Sequence, residues 1–370
     1  ILAFVILNVL ILKIPFQRYG DQNQLNYLLS TGTHFPRYLV GSESLEFIYQ
    51  NLIAPLFLPG GMPEPDLTDA FIRIFGSLVM VFTSLLLLRK YPGRLSILLP
   101  LSIPAWFLFS SGYNEYYPFI TPLFMLCLLF LDQKAIEKVH PILVGLLAAV
   151  VALVYAAFVP LSLFLLGLYF LRAGIKRGAV ALLFAVGWVF ALIVIFWKGP
   201  LEGFIQQYAY TLNLGDENSA EQFLGQAFGM TPFFKPVFAF SADHLKMMFF
   251  MLFWAGGISS TLILLGMIVL LAIKGDLKQK KFIVPALFLL YQFVYFFFMI
   301  PKLGPLKDID LFFSVYLTIA FTAGLLVDHY VKGLPQQKCR WVSLICFALV
   351  AGNTVFSIYY LLLWGIPLRY

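Results

Sequence analysis

Residues 141–171 read PILVGLLAAVVALVYAAFVPLSLFLLGLYFL, an apolar run interrupted by Pro160. A helix needs about 20 apolar residues to cross the hydrocarbon core, and fewer where the bilayer is locally thinned. The run is therefore either one long helix or two short ones. The choice decides the fold, because it sets the side of the membrane on which every later loop lies.

The distribution of basic residues separates the two alternatives. With two helices, five loops share one side and hold 15 of the 25 Lys and Arg residues but only four of the 18 acids. These loops are residues 89–94, 132–140, 172–177, 274–281 and 328–340. With one helix, the basic loops fall on both sides. Because cytoplasmic loops of membrane proteins are enriched in Lys and Arg, we expect two helices and a cytoplasmic location for the five loops.

The apolar pattern predicts an all-α, polytopic membrane protein with about eleven transmembrane helices. The spans are 1–15, 70–88, 95–111, 118–131, 141–157, 160–171, 178–197, 245–273, 282–300, 311–327 and 341–364. Residue 1 is Ile and apolar residues follow it, so we expect the first span to be truncated at its N-terminus. The expected organisation is a single transmembrane domain over residues 1–370, with large outer loops at 16–69 and 198–244.

Composition excludes several classes of protein. Hydrophobic residues make up 61% of the chain and charged residues 12%, whereas a soluble domain is typically about a quarter charged. A water-soluble enzyme is therefore excluded. The net charge of +7 comes from short basic clusters between apolar runs, which is typical of topology signals and not of a nucleic-acid site. The three cysteines show no metal-ligand spacing.

Two acids in the outer loops are candidates for chemistry. Asp21 follows the first span by a few residues and therefore lies near the membrane interface. It is either a base that acts on a lipid substrate there or a solvated loop residue. Glu115 lies in the short loop 112–117, where an acid near the membrane costs free energy unless it is satisfied. Its neighbours Tyr113 and Tyr116 are either interfacial anchors or platforms for a sugar ring.

Charged residues elsewhere in the outer loops suggest a phosphate site. Lys302 and Lys307 stand beside Asp308 and Asp310, either as self-neutralising ion pairs or as a corner that binds phosphate. Arg37 is a further candidate cation. His244 precedes span eight and is either a cap-region residue or a catalyst.

The first outer loop contains a segment with helical periodicity. Apolar residues recur at helical spacing between Ser42 and Phe57, which predicts an amphipathic helix lying along the membrane face.

The chain resembles the C-type (GT-C fold) polytopic glycosyltransferase superfamily, which includes protein O-mannosyltransferases and bacterial aminoarabinose transferases. The resemblance rests on an early acid in the first outer loop, an amphipathic segment after it, and a second acid between spans three and four. The matching stretches are Gly20-Asp21, Ser42-Glu43-Ser44-Leu45-Glu46, GYNEYYP at 112–118, FSADHL at 240–245 and GPLKDIDLF at 304–312. Gln22 stands where the mannosyltransferases carry the second of two paired acids.

The resemblance implies a polyprenyl-phosphate-linked sugar as donor and direct displacement at the anomeric carbon. Asp21 would remove the proton from an acceptor hydroxyl. Lys302, Lys307 and Arg37 would stabilise the leaving phosphate, with a divalent Mg or Mn ion held by Asp21 and Glu115 as a supplement. The resemblance also implies a location in the plasma (inner) membrane, with the active site on the extracytoplasmic side. The partners it implies are an unidentified acceptor and membrane lipids.

Two other functions fit the same pattern. A transporter or flippase of a lipid-linked substrate predicts ionisable residues within the spans, where the sequence has few. A non-catalytic membrane assembly subunit predicts that Asp21 and Glu115 tolerate substitution.

Overall fold

A computed structural model describes residues 29–31, 39–60, 64–110, 116–132, 138–155, 158–197, 199–205, 241–274, 283–298 and 312–364. Every secondary-structure element in these ranges is helical. The described part of the protein is thus all-α, as predicted.

The helices begin in the segment that the sequence predicts as the first outer loop. There, α1 (Leu39–Ile48) continues through a π-helical turn (Tyr49–Ile53) into α2 (Ala54–Phe57) and a 3₁₀ turn (Leu58–Gly60). The remaining helices are α3 (Glu64–Lys90), α4 (Leu95–Ser102), α5 (Pro104–Ser110), α6 (Tyr117–Asp132), α7 (Pro141–Val154), α8 (Val159–Ala173), α9 (Ile175–Phe196), α10 (Ala242–Trp254), α11 (Ile258–Ile273), α12 (Ile283–Phe298), α13 (Phe313–Val331) and α14 (Gln336–Trp364).

Four stretches in the described ranges are long and apolar enough to cross a membrane. They are Asp66–Lys90, Ile175–Phe196, Phe313–Val331 and Gln336–Tyr359. The helix pair α10 and α11, which bends by 99° at its break, makes a fifth if it counts as one span. Four shorter apolar helices, Tyr117–Phe130, Pro141–Val154, Val159–Ala173 and Pro285–Val294, lie at other predicted spans, and the first span, 1–15, lies outside the described residues. These helices are those of a multi-pass membrane protein. The number of eleven spans remains a prediction.

The structure forms two compact units, here called unit 1 and unit 2. The described residues of 77–113 and 224–370 belong to unit 1, and those of 18–76 and 114–223 belong to unit 2.

The run at 141–171 forms two helices that pair as an antiparallel hairpin, which confirms the two-helix alternative. The Ser162 hydroxyl donates to the carbonyl of Ala148 (2.8 Å), and the Tyr169 hydroxyl donates to the carbonyl of Val139 (2.8 Å). Residue 162 contacts residue 148, and the later residue 169 contacts the earlier residue 139. The two helices are therefore antiparallel. The first helix ends at Val154, where Tyr155 has an extended backbone, and the second begins at Val159. Pro160 stands in the first turn of the second helix, where its missing N–H leaves no helical hydrogen bond unmade.

Helix α9 runs back along α7, so that two basic loops lie at one end of unit 2. Gly174, at φ +86°, ends α8 in a conformation that favours glycine and begins α9. Arg177 then donates to the carbonyl of Val139 (3.0 Å). The loops around His140 and Arg172 therefore share this end, called the basic end of unit 2.

Aromatic residues occupy the opposite end of unit 2. The rings of Tyr117 and Tyr155 are 6.4 Å apart between centroids, so α6 begins where α7 ends. Phe75 of α3 lies 5.8 Å from Phe119 of α6. Because α6 begins here, Tyr116 and Tyr117, the described residues of the predicted outer loop 112–117, lie at the end of unit 2 opposite the basic loops.

Unit 1 also gathers its basic loops at one end. Asp328, near the end of α13, accepts hydrogen bonds from the backbone N–H of Leu95 (2.9 Å) and of Ser96 (3.1 Å), and from the Ser96 hydroxyl (2.7 Å). Lys274, just after α11, lies 4.4 Å from the Tyr330 ring centroid. The loops at 89–94, 274 and 328–340 therefore meet at the basic end of unit 1.

Two predicted spans of unit 1 are broken helices. The span predicted at 95–111 breaks at Ile103, whose extended backbone precedes Pro104. The span predicted at 245–273 breaks at Ala255–Gly257, where Gly257 has φ +78°. The two breaks meet, because the backbone N–H of Ala105 donates to the carbonyl of Ala255 (3.2 Å).

Candidate functional site

Most of the residues predicted for the site lie outside the described residues. These are Asp21, Arg37, Tyr113, Glu115, Lys302, Lys307, Asp308 and Asp310. Their convergence on one site, and a metal held by Asp21 and Glu115, remain predictions.

Tyr116 is described and lies within unit 2. Its side chain is buried, and its carbonyl accepts from the N–H groups of Phe119 (2.9 Å) and Ile120 (3.2 Å). The residue thus directly precedes α6, at the end opposite the basic loops, and belongs to the predicted acid-bearing loop 112–117.

His244 is described and lies within unit 1. It is fully buried in the first turn of α10, and its backbone N–H donates to the hydroxyl of Ser241 (3.2 Å). Ser241 is therefore the N-cap of this helix. The neighbouring ion pair of Lys246 with Asp243 (3.5 Å) is 79% exposed on both sides and contributes little to stability.

The segment predicted as the first outer loop contributes to a pocket that no sequence motif indicates. Its volume is about 310 Å³. It is lined by side chains of α1, the π-helical turn and the last residues of α9, namely Glu43, Glu46, Phe47, Gln50, Asn51, Ile195 and Phe196.

Helical spacing brings the polar lining residues together. Glu43, Glu46 and Gln50 stand three and four residues apart, which places them on one face of the helix. The π-helical turn begins at Tyr49, and such turns are frequent at functional sites. The Gln50 amide donates to the carbonyl of Leu29, and the Asn51 amide donates to the carbonyl of Phe47 (2.8 Å).

Packing fixes this helix at the end of unit 2 that lies opposite the basic end. Leu39 joins a buried cluster that includes Leu153 of α7, Ile193 of α9 and Phe204. A further contact joins the ring of Tyr49 to that of Phe71 on α3, at 5.6 Å between centroids. The pocket is therefore built on three helices and not on a free loop.

One acid of the pocket is buried and the other is partly buried. Glu43 is 6% exposed. One carboxylate oxygen of Glu46, Oε2, is buried and has no hydrogen-bond partner among the described residues. Burying a carboxylate oxygen without a donor costs free energy. A ligand that brings hydroxyl or amine donors, or a cation, would remove that cost.

Exposed apolar side chains form part of the lining of this pocket. Phe47 and Ile195 line it and are both 65% exposed. Leu52, Leu56 and Val194 are exposed nearby in the chain. In a membrane protein, exposed side chains of this kind face lipid, so the pocket combines a polar interior with access from the apolar phase.

The chain matches no protein-family model, no curated protein and no solved structure. Function is therefore inferred from the residues themselves.

The residues in the pocket could hold a cation as well as hydroxyl groups. Carboxylate and amide oxygens suit Mg²⁺ or Mn²⁺. Within the described ranges, however, no three His, Cys, Asp or Glu side chains lie close enough to form a metal site. The pocket could thus contribute two carboxylates to a metal, and any further ligands would come from amides or from the bound molecule.

A buried polar cluster marks the junction of the two broken helices in unit 1. The Asn353 amide nitrogen lies 3.3 Å from the Ser260 hydroxyl and 3.5 Å from the Ser102 hydroxyl, and the Ser357 hydroxyl donates to the carbonyl of Ser102 (2.7 Å). All four residues are at most 3% exposed. The cluster ties α14 to the breaks at Ile103 and Gly257.

Proposed function

We propose that this chain is a membrane glycosyltransferase that uses a polyprenyl-phosphate-linked sugar. In this proposal the chain crosses the plasma (inner) membrane about eleven times, with the pocket of α1 on the extracytoplasmic side. The observation that carries it is the carboxylate-lined pocket bordered by exposed apolar side chains, at the end of unit 2 opposite the basic loops.

The chemistry of this pocket suits a sugar better than a phosphate. Glu43 and Glu46 offer carboxylate oxygens, which accept hydrogen bonds from sugar hydroxyls, and the exposed ring of Phe47 offers an apolar face. Two carboxylates repel a phosphate group. The phosphate of the donor therefore has to bind elsewhere, and Lys302, Lys307 and Arg37 remain the candidates for it.

The surrounding surface suits the lipid part of the donor. A polyprenyl chain stays in the bilayer while its headgroup enters the pocket from the side. The exposed side chains of Phe47, Ile195 and Val194 give such a chain an apolar surface next to the carboxylates. Asp21 is then the base that takes the acceptor proton, and Glu115 orients the acceptor or a metal.

The positions of the basic loops within each unit support the proposed topology. Residues 138–140 and loop 172–177 meet at one end of unit 2, and loops 89–94 and 328–340 meet at one end of unit 1. This is the grouping that the positive-inside rule requires if these loops are cytoplasmic. An impermeant thiol reagent should therefore label a cysteine at position 216 but not one at position 278 in intact cells, and the reverse in inside-out vesicles.

A transfer assay tests the proposal. The full chain is reconstituted in liposomes with polyprenyl-phosphate donors labelled in the sugar, together with membranes of the producing cell as the source of acceptor. We expect label to leave the lipid fraction, Asp21→Asn to abolish transfer, and Glu46→Gln to lower kcat/KM about tenfold, since a hydrogen bond to a charged group is worth about 1.5–3 kcal/mol.

The matched control is Glu202→Gln, which removes an exposed acid from the same unit. It should leave transfer unchanged. Absence of transfer with every donor, or equal activity in Asp21→Asn and the wild type, would contradict the proposed enzyme.

A transporter or flippase of a lipid-linked substrate is the second candidate. It is favoured by the two broken helices of unit 1, because many transporters bind their substrates where interrupted helices meet. Movement of an unaltered lipid-linked sugar across the liposome membrane, without transfer of the sugar, would support this function instead.

A further inference from the structure

A second pocket lies at the basic end of unit 1. Its volume is about 360 Å³, and its lining residues are Leu271, Lys274, His329, Tyr330, Lys332, Gly333 and Leu334. The described residues that line it include two lysines and a histidine but no acid. It is separate from the carboxylate pocket, which belongs to unit 2.

Among the described residues, the acid nearest to the pocket in the sequence is already engaged. Asp328 precedes His329, but its carboxylate accepts three hydrogen bonds from Leu95 and Ser96. Lys274 lies over the ring of Tyr330, at 4.4 Å from its centroid, which holds this ammonium group at the pocket. The pocket is therefore a positively charged recess with one positioned lysine.

An apolar stripe leads along α11 to the same place. Leu262, Leu265, Val269 and Ile273 are all more than half exposed, and they recur three or four residues apart on one helix face. The stripe ends at Ile273, the residue before Lys274. A cationic recess at the end of a lipid-facing apolar stripe has the chemistry of an anionic phospholipid: phosphate at the lysines and an acyl chain along the helix.

We propose that this pocket, defined by Lys274, Tyr330 and Lys332, binds the headgroup of an anionic phospholipid. A soluble phosphate compound has the same negative charge, but it has no acyl chain to contact the apolar stripe of α11. The simpler explanation for the lysines is that they offset the negative ends of α11 and α13, which both terminate here. That explanation predicts an effect on stability without any preference for a lipid.

Native mass spectrometry of the full chain, purified in detergent, separates these possibilities. Dioleoyl phosphatidylglycerol and dioleoyl phosphatidylcholine are titrated in parallel. We expect phosphatidylglycerol to bind at least tenfold more tightly. In Lys274→Gln/Lys332→Gln this preference should fall roughly 25-fold or be lost, because a basic residue near an anionic headgroup is worth about 1 kcal/mol, or about fivefold.

The control variant is Lys338→Gln/Arg340→Gln, which removes the same charge from exposed positions of α14 that do not line the pocket. It should change the preference less than twofold. Equal loss in both variants, or no loss in the pocket variant, would overturn the proposal.

A competition experiment distinguishes the lipid from a soluble phosphate. Glycerol phosphate, added in large excess over the lipid, should fail to displace phosphatidylglycerol. Displacement at equal concentration would show that the pocket recognises the phosphate alone and would overturn the lipid assignment. A pocket variant that melts at a lower temperature but keeps its lipid preference would support the helix-end explanation instead.

Discussion

Replacing Asp328 tests how the basic end of unit 1 is held together. The carboxylate caps the first turn of α4 from a distant helix, through two backbone N–H groups and the Ser96 hydroxyl, at 2.7–3.1 Å. The N-terminal N–H groups of a helix have no partner within the helix. In Asp328→Ala, they lose their acceptor and α4 loses its link to α13.

The expected cost follows from these contacts. A helix cap is worth about 1 kcal/mol, and bonds to a charged acceptor are worth more, but Asp328 is only half-buried. We therefore expect Asp328→Ala to lower the free energy of unfolding by about 3 kcal/mol. Asp328→Asn keeps one acceptor oxygen and should cost about 1 kcal/mol.

The purified chain is unfolded with SDS in mixed micelles, and its thermal melting is measured in a separate experiment. The control is Asp243→Asn, since that acid is exposed and its ion pair with Lys246 should contribute less than about 0.5 kcal/mol. If Asp328→Ala unfolds at the same SDS fraction as the wild type, the capping contact does not stabilise the fold.

Two further predictions concern helix packing. A Cβ at Gly145 would lie 2.7 Å from the Ala181 carbonyl and 2.8 Å from the Ala185 nitrogen, so Gly145→Ala should push α7 from α9 and cost about 1–3 kcal/mol in the same unfolding assay. The control is Gly187→Ala, which has open space around its Cβ and should be neutral or stabilising by up to about 1 kcal/mol. Equal effects of Gly145→Ala and Gly187→Ala would contradict a tight contact between α7 and α9 at Gly145. Ser357→Ala should lower the free energy of unfolding by about 1 kcal/mol, because it removes the hydrogen bond to Ser102. Thr354→Ala removes a hydroxyl that bonds within its own helix, so it should have a smaller effect. A larger effect of Thr354→Ala would contradict a stabilising role for the buried polar cluster.

The helical architecture could be predicted because its signals are local. Pro160 marked the break in the run at 141–171, and charge counting selected the two-helix alternative. The breaks at Pro104 and Gly256-Gly257 carry equally local signals. They lie inside otherwise continuous apolar runs, however, so hydropathy alone does not detect them.

The pocket of α1 and the cap at Asp328 could not be predicted in the same way. Glu43 and Glu46 resemble solvated residues of an interfacial helix until Leu39 packs against α7 and α9 and buries that face. Their spacing of three residues was the signal available. Asp328 is separated from Ser96 by 232 positions, and no local pattern connects residues so far apart.

Photocrosslinking tests the central claim most directly. A polyprenyl-phosphate sugar with a diazirine on the sugar is bound to the full chain in liposomes, activated, and mapped by peptide mass spectrometry. We expect crosslinks in residues 39–51 and at 195–196, competed by unlabelled donor and reduced in Glu43→Gln/Glu46→Gln. Crosslinks confined to other parts of the chain, or equally abundant in this variant, would contradict the claim that this pocket binds the sugar.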